Sequence, residues 1–412
     1  MVAFKKIHVS NVRTGMYIHE ICGSWMDHSF WKTSFLVSDE KTLKRLTSSS
    51  IHEVWIDVSK GVDVLDGSIS FSEEDEKIRI DDSLQFASNN VSELQSKLPL
   101  YEEIERARAI HDKAKKAVVT LFQEARMGQA LQLEDLETLV DDINQSLQRN
   151  SSAMLSLARL KNKDDYTYLH SVSVCALMVA LGRQLGLNEE ALREAGMAGL
   201  LHDIGKAMMP DAVLNKPGRL SQEEFEIMKG HPKSGWSILK ELPRVGASAL
   251  DVCLHHHERL DGTGYPEKLS GEAISLFARM GTVCDVYDAI TSARCYKDAW
   301  EPAEAIRKMA DWKEGNYDET VFHAFVKTVG IYPVGTLVKL KSGRLGVVAE
   351  QSKGSLLTPI VTVFYSSRSN ELLLPERVDL SKSMDSILNI ECASTWKFDS
   401  EMLQRMGQFP AN

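Results

Sequence analysis

Six of the twelve histidines in this 412-residue chain fall between His170 and His257. His170 opens an apolar run through Val172, Val174 and Leu177, and the doublet His202-Asp203 follows Ala198-Gly199-Leu200-Leu201. His231 precedes the segment Pro232–Leu239, His255-His256-His257 follow Val252-Cys253-Leu254, and Asp285 interrupts Gly281-Thr282-Val283-Cys284 and Val286. Carboxylates and imidazoles are expensive to bury without partners. Set into core-like helical runs, they must satisfy one another or hold something, and a divalent cation does both. A nitrogen-and-oxygen donor set without cysteine argues against structural zinc. More than four donors argue for two ions, and the chemistry of two ions roughly 3.5–4 Å apart is phosphoester hydrolysis: they acidify a shared water, clamp the phosphate and stabilise the leaving oxygen. Asp203, beside His202, is the natural bridge between them.

Taken singly, each of these residues has a plainer explanation. A lone buried histidine is more often a satisfied core residue than a ligand, and an Asp beside a His can be a helix cap. Three successive helical side chains fan out by about 100° each, so His255, His256 and His257 cannot all face one point within a helix. The joint occurrence on separate helices carries the metal reading.

The elements that must position these groups follow from the periodicity. Ile104, Ala107, His111, Ala114, Val118 and Phe122 recur at three- and four-residue steps, and a second helix is expected over Leu133–Lys161. Helical spacing continues to about Gly330. The chain therefore divides into a small α+β domain (1–62), an acidic, serine-rich linker with room for a short helix (63–99), a central all-α domain (100–330) and a small antiparallel β appendage with a tail (331–412). The appendage shows in the period-two pattern of Leu337-Val338-Lys339-Leu340 and Ile360-Val361-Thr362-Val363-Phe364. His8, His19, His28 and His52 in the first domain lack ligand-like spacing and read as surface or half-buried residues.

A length of 412 residues exceeds one ordinary core, and 43% hydrophobic with 26% charged residues excludes wholesale disorder. The net charge of −10 excludes a general binder of DNA or RNA polymers. The longest apolar stretch, Val174–Leu181, is far short of the ~18 residues of a membrane span, and no signal peptide is recognised at the N-terminus. Six cysteines without a CxxC pair predict reduced thiols and a cytoplasmic location.

His170, the run His202-Asp203-Ile204-Gly205-Lys206 and Asp285 resemble the HD superfamily of metal-dependent phosphohydrolases. The further runs Lys216-Pro217-Gly218, Gly230-His231-Pro232, His256-His257-Glu258-Arg259-Leu260-Asp261-Gly262-Thr263-Gly264-Tyr265-Pro266 and Ser292-Ala293-Arg294-Cys295-Tyr296-Lys297 narrow this to a resemblance to the HD-GYP domain, from about Asp165 to Gly330. The resemblance implies hydrolysis of cyclic di-GMP to linear pGpG by a metal-bridging hydroxide at two divalent ions; the nitrogen and oxygen donors suit iron or manganese, with nickel, cobalt and zinc also open. It assigns His170, His202 and Asp285 to one ion and His231, His256 and His257 to the other, with Asp203 bridging. Lys206, Arg294 and Lys297 would meet phosphate charge. Lys206 is expected on the same helix face as His202, four residues on. The glycines at 262 and 264 permit a tight loop that presents Tyr265 for stacking on a base. Many family members carry a third-metal glutamate where this chain has Tyr166, so a binuclear site is expected, and the second cleavage of pGpG is open.

Lys6-Ile7-His8-Val9, Thr14-Gly15-Met16-Tyr17-Ile18 and Val54-Trp55-Ile56-Asp57 are similar to a domain of unknown function often found before HD-GYP domains. Two alternatives stay open at this stage: the same fold acting on 3′3′-cyclic GMP-AMP, or a non-catalytic cyclic-dinucleotide-sensing or protein-interaction module. Homodimerisation and a partner signalling protein are equally open.

Overall fold

The computed structural model describes residues 4–23, 34–47, 49, 51–65, 68–88, 98–129, 131, 133–158, 166–216, 218, 220–292, 299–312, 315–352 and 354–407. Tyr166 begins a helix, but its side chain lies outside the described part, as do Arg294, Lys297 and His28.

The N-terminal unit is built on a five-stranded sheet with strand order β3-β2-β4-β1-β5. Its strands are β1 (Phe4–His8), β2 (Tyr17–Ile21), β3 (Phe35–Leu36), β4 (Glu53–Asp57) and β5 (Ser70–Ser72), with helix α1 (Glu40–Thr47) between β3 and β4. Ile7, Met16, Ile18, Val37, Leu46, Val54 and Ile56 form its core. The acidic segment expected as a linker is more ordered than its composition suggests. β5 pairs antiparallel with β1, and α2 (Glu73–Ser88) buries Leu84 and Ala87 in the central helical core. Four consecutive acidic residues at the start of α2 match the positive end of its dipole, which explains helix in so charged a run.

The central unit comprises α3 (Leu100–Met127), α4 (Glu134–Ala158), α5 (Tyr166–Gln184), α6 (Glu189–Leu201), the short α7 (Asp211–Leu214) and α8 (Gln222–Met228), α9 (His231–Leu239), α10 (Ala247–His255), α11 (Leu276–Thr291), α12 (Pro302–Asp311) and α13 (Glu319–Val329). Every residue from Leu169 to Leu181 is buried, so α5 is the central post around which α3, α4, α6, α11 and α13 pack. The helix expected over Leu133–Lys161 breaks at Asn150, which leaves helical geometry (φ −158°, ψ 106°). Its Oδ1 accepts from Ala153 N at 3.3 Å and its Nδ2 donates to Leu98 O at 2.9 Å, capping one segment and tying in the segment before α3.

The C-terminal sheet has the order β10-β6-β7-β8-β9, from β6 (Leu337–Leu340), β7 (Arg344–Glu350), β8 (Ile360–Ser366), β9 (Glu371–Asp379) and β10 (Ile387–Ile390), all antiparallel. Two short helices, α14 (Ala393–Trp396) and α15 (Ser400–Gly407), follow it. Trp396, Phe398, Met402, Leu403 and Met406 pack against Leu337, Val347 and Phe364, so part of the expected tail belongs to the fold. No helix among the described residues is long and apolar enough to cross a membrane.

Candidate metal centre

His170 lies in the first turns of α5, and α6 delivers His202-Asp203 at its C-terminal end. Residues 204–208 then form a 3₁₀ turn, so Lys206 does not continue the α-helical face of His202 as expected. In a 3₁₀ turn residues three apart eclipse, which sets Lys206 over Asp203 and lets its Nζ donate to Asp203 Oδ2. Gly205 makes this crossing possible: a Cβ there would stand 1.9 Å from the His231 carbonyl oxygen and 2.4 Å from Gly235 N. The resulting close approach brings the start of α9, and with it His231, against the His-Asp doublet.

His255 ends α10, His256 is its C-cap and His257 follows in a turn. Because the helix stops there, His256 and His257 escape the angular spread of a continued helix. His255 points elsewhere, its Nδ1 2.7 Å from Asp251 Oδ1 and its Nε2 3.3 Å from Glu267 Oε2. Asp285 comes from the middle of the buried α11.

These side chains converge. His170, His202 and Asp285 offer donor atoms within 4.8 Å of one another, and so do His231, His256 and His257. Asp203 stands between the two groups: Oδ2 lies 3.4 Å from His170 Nε2 and 3.3 Å from His202 Nε2, while Oδ1 lies 3.2 Å from His231 Nε2 and 3.8 Å from His256 Nε2. Asp285 Oδ1 is 2.9 Å from His170 Nε2, and its Oδ2 is 3.9 Å from His257 Nδ1.

The hydrogen bonds behind the rings decide what faces inward. His202 Nδ1 is 2.8 Å from Gly199 O, His231 Nδ1 is 2.7 Å from Met228 O, and His256 Nδ1 is 2.9 Å from Val252 O. A carbonyl only accepts, so each Nδ1 carries a proton, and a ring in its neutral form presents an Nε2 lone pair to the centre. His170 Nδ1 does the same toward Asp288 Oδ2 at 2.6 Å. His231 Nε2 and His256 Nε2 are then two lone pairs only 3.4 Å apart. Buried His202 Nε2 and Asp203 Oδ1 make no hydrogen bond of good geometry. Acceptors crowded together without a proton between them fit cations, and ring nitrogens backed by carbonyls or carboxylates are how proteins orient such ligands.

Charge states agree at four of these groups, while His202 runs the other way: burial would lower it, but Asp203 raises it. Burial alone would raise the Asp203 carboxyl, but Lys206 and then His202 hold it well below the ordinary carboxylate value. Burial is likewise overcome at Asp285, where the adjacent His170 ring is the largest opposing influence. Burial, with His202 and His231 nearby, pushes His256 down to about 3, and burial with His256 pushes His257 well down. Charged carboxylates beside neutral imidazoles are the forms that bind metal.

Tyr265 lies over this centre with its ring stacked on His257, centroids 4.8 Å apart. Gly264 permits the tight loop before it, since a Cβ there would meet Glu258 Cα and Arg259 N at 2.5 Å. Three contributors escaped the sequence reading. Asp288 was within its reach, being one helical turn beyond Asp285. Glu258, which accepts from Glu267 N at 2.6 Å and Leu269 N at 3.1 Å, fastens the loop from below. Lys229 Nζ stands 5.7 Å from the Tyr265 ring centre. The last two carried no sequence signal of their own.

Inward-facing imidazoles and carboxylates on the helices of an all-α unit define a metal-dependent phosphohydrolase of the HD type. Residues 136–321 match the HD domain family, and residues 4–136 match a domain of unknown function, DUF3391. The chain is 51% identical over 398 residues to a cyclic di-GMP phosphodiesterase of Pseudomonas aeruginosa, covering 96% of this chain and 94% of that one. The cyclic di-GMP phosphodiesterase response regulator RpfG of Xanthomonas campestris pv. campestris is 44% identical over 178 residues, 42% of this chain and 45% of its own. A 3′3′-cGAMP-specific phosphodiesterase of Vibrio cholerae is 36% identical over 179 residues, 43% of this chain and 41% of its own. The chain belongs to the HD-GYP family of phosphodiesterases.

Proposed function

We propose that this protein hydrolyses cyclic di-GMP to linear pGpG in the cytoplasm. His170, His202 and Asp285 would hold one divalent cation and His231, His256 and His257 a second, with Asp203 standing between the two groups. The observation that carries this reading is the set of Nε2 lone pairs turned inward on both sides of Asp203, with Nδ1 protons committed behind them. Bound cations supply Lewis acidity toward the phosphate and toward an attacking water.

Around that chemistry the chain's own groups have definite tasks. Water adds to phosphorus, the bond to the ribose 3′ oxygen breaks, and the released oxygen takes a proton. Lys206, partly exposed beside Asp203, offsets the negative charge that grows on the phosphate. Tyr265 offers a face for a guanine, and the family resemblance assigns Arg294 and Lys297, which lie outside the described residues, to phosphate. Nitrogen and oxygen donors without thiolate suit iron or manganese, and accept nickel, cobalt or zinc as well. The higher identity to the Pseudomonas relative than to the 3′3′-cGAMP-specific one favours cyclic di-GMP.

Turnover of cyclic di-GMP and 3′3′-cyclic GMP-AMP by anaerobically purified protein in defined metals, with products separated by chromatography, tests the reading. Faster conversion of cyclic di-GMP to pGpG is expected. Binding without hydrolysis under any metal overturns it.

A further inference from the structure

Among the described residues, the side chain of His52 brings the N-terminal unit to the substrate loop. His52, immediately before β4, places its Nε2 against the Asp261 carboxylate and 3.3 Å from Thr263 Oγ1. Asp261 in turn organises the loop's entry: its Oδ1 accepts from Thr263 N at 2.9 Å and Thr263 Oγ1 at 2.7 Å. Its own backbone N donates to Gly315 O at 3.1 Å. Four residues later stands Tyr265, whose N donates to His257 O at 3.1 Å and whose ring lies on His257. Glu258 holds the loop's exit from the inner side, and His52 holds its entry from the outer side.

The support behind His52 is stiff. Its carbonyl accepts from Val9 N at 2.6 Å, and its neighbours Ile51 and Val54 are in the N-terminal core. The next residue, Glu53, pairs at 2.8 Å with buried Lys6, which also binds Glu76 Oε1 at 3.1 Å, Asp311 Oδ1 at 2.8 Å and the Asp311 carbonyl at 3.0 Å. Burial alone would depress the Lys6 ammonium, but the surrounding acids push it above its ordinary value. The 52–53 step is thereby fixed to the end of α12 as well as to its own sheet. A backbone held this firmly aims the half-buried His52 ring at the glycine-rich loop.

We propose that His52 is a positioning residue for the phosphodiesterase reaction, through which the N-terminal unit holds the 261–265 turn and sets Tyr265 over the metal centre. The inference rests on the reading of that loop as the substrate contact.

The test compares full-length wild type with His52→Ala, His52→Gln and Asp261→Asn. Two readouts are taken: amide hydrogen exchange over 262–269, and kcat and KM for cyclic di-GMP at matched metal content. Loss of one partly buried bond predicts faster exchange and a KM raised roughly three- to tenfold, with kcat changed less. His52→Gln, which keeps a donor, should restore most of the wild-type KM, and Asp261→Asn should behave like His52→Ala. Unchanged exchange in His52→Ala overturns the proposal whatever KM does, and faster exchange with unchanged KM overturns the link to substrate. Should wild type turn over no cyclic dinucleotide, the functional reading fails instead, and the exchange comparison still decides whether His52 holds the loop.

Discussion

Asp288 Oδ2 stands 2.6 Å from His170 Nδ1, on the side of the ring opposite the metal centre. Both groups are buried, and the bond leaves His170 Nε2 aimed at Asp285 and Asp203. Replacing the carboxylate behind a ligand histidine typically costs 10- to 100-fold in metal affinity or activity. Asp288→Ala should therefore lose activity by about that factor at limiting metal and recover part of it at high metal. Unaltered metal affinity would show that the ring is oriented by packing alone.

Asp203 sends one oxygen to each donor group, whereas His257 belongs to one. Asp203→Asn should lower the occupancy of both ions together and remove most activity, while His257→Ala should empty one site first. Elemental analysis of the two variants, normalised to protein, reads the difference. Equal stoichiometry in both would contradict a shared carboxylate.

Lys206 bonds Asp203, and its amine is buried only in part. Removing one group that stabilises transition-state charge usually costs 10²–10³ in kcat. Lys206→Ala should show a kcat loss in that range with both ions retained. A rate equal to wild type would remove Lys206 from the chemistry.

The pH dependence of stability has a definite sign in metal-depleted protein. His256, pushed down to about 3, stays neutral in the fold while the unfolded chain takes up a proton near 6.5. Its contribution is present above that value and declines as pH falls toward 3, by up to about 1.4 kcal/mol per pH unit. Asp203 and Asp285, held well below 3.8, add losses once the pH falls under that value. His202 acts oppositely: burial would lower it, Asp203 and its neighbours raise it, and its contribution is greatest in acid. The net expectation is a Tm that falls between pH 7.5 and 5 in chelator, and falls more steeply with metal present, because protons then also displace the ion. A Tm insensitive to pH over that window would contradict neutral histidines at the centre.

Lys6 is 1% exposed and faces Glu53, Glu76 and Asp311. Removing one partner from a buried ionic cluster commonly costs 3–5 kcal/mol. Lys6→Met should destabilise the whole chain by about that amount in denaturant titrations. A loss under ~1 kcal/mol, the size of an exposed pair, would mean that water reaches the cluster.

Much of the site could be read from residue order. Imidazoles and carboxylates set into apolar helical runs announce themselves, because burial without partners is costly. What stayed hidden was geometry that depends on where helices end. The angular spread that separates His256 from His257 in a helix vanishes because α10 stops at His255, and Lys206 reaches Asp203 through a 3₁₀ turn rather than an α-helical face. The extent of the helix in residues 73–88 was hidden by their acidity: α2 packs because apolar residues such as Leu84 and Ala87 find the central core, a tertiary effect that local composition does not reveal. His52 is the extreme case. It sits 209 positions before Asp261, in a run with no ligand-like spacing, and only the assembled fold brings the two together.

The side chains of Cys22 and Trp55 leave their own sheet and sit in the hydrophobic core of the central helices. The boundary between accessory unit and enzyme is thus not a seam along which evolution or an engineer can cut. Grafting these helices onto a different N-terminal unit would leave an oily scar where Trp55 had been and strand the Asp311 carboxylate without its ammonium. Whatever governs this enzyme must be inherited with it.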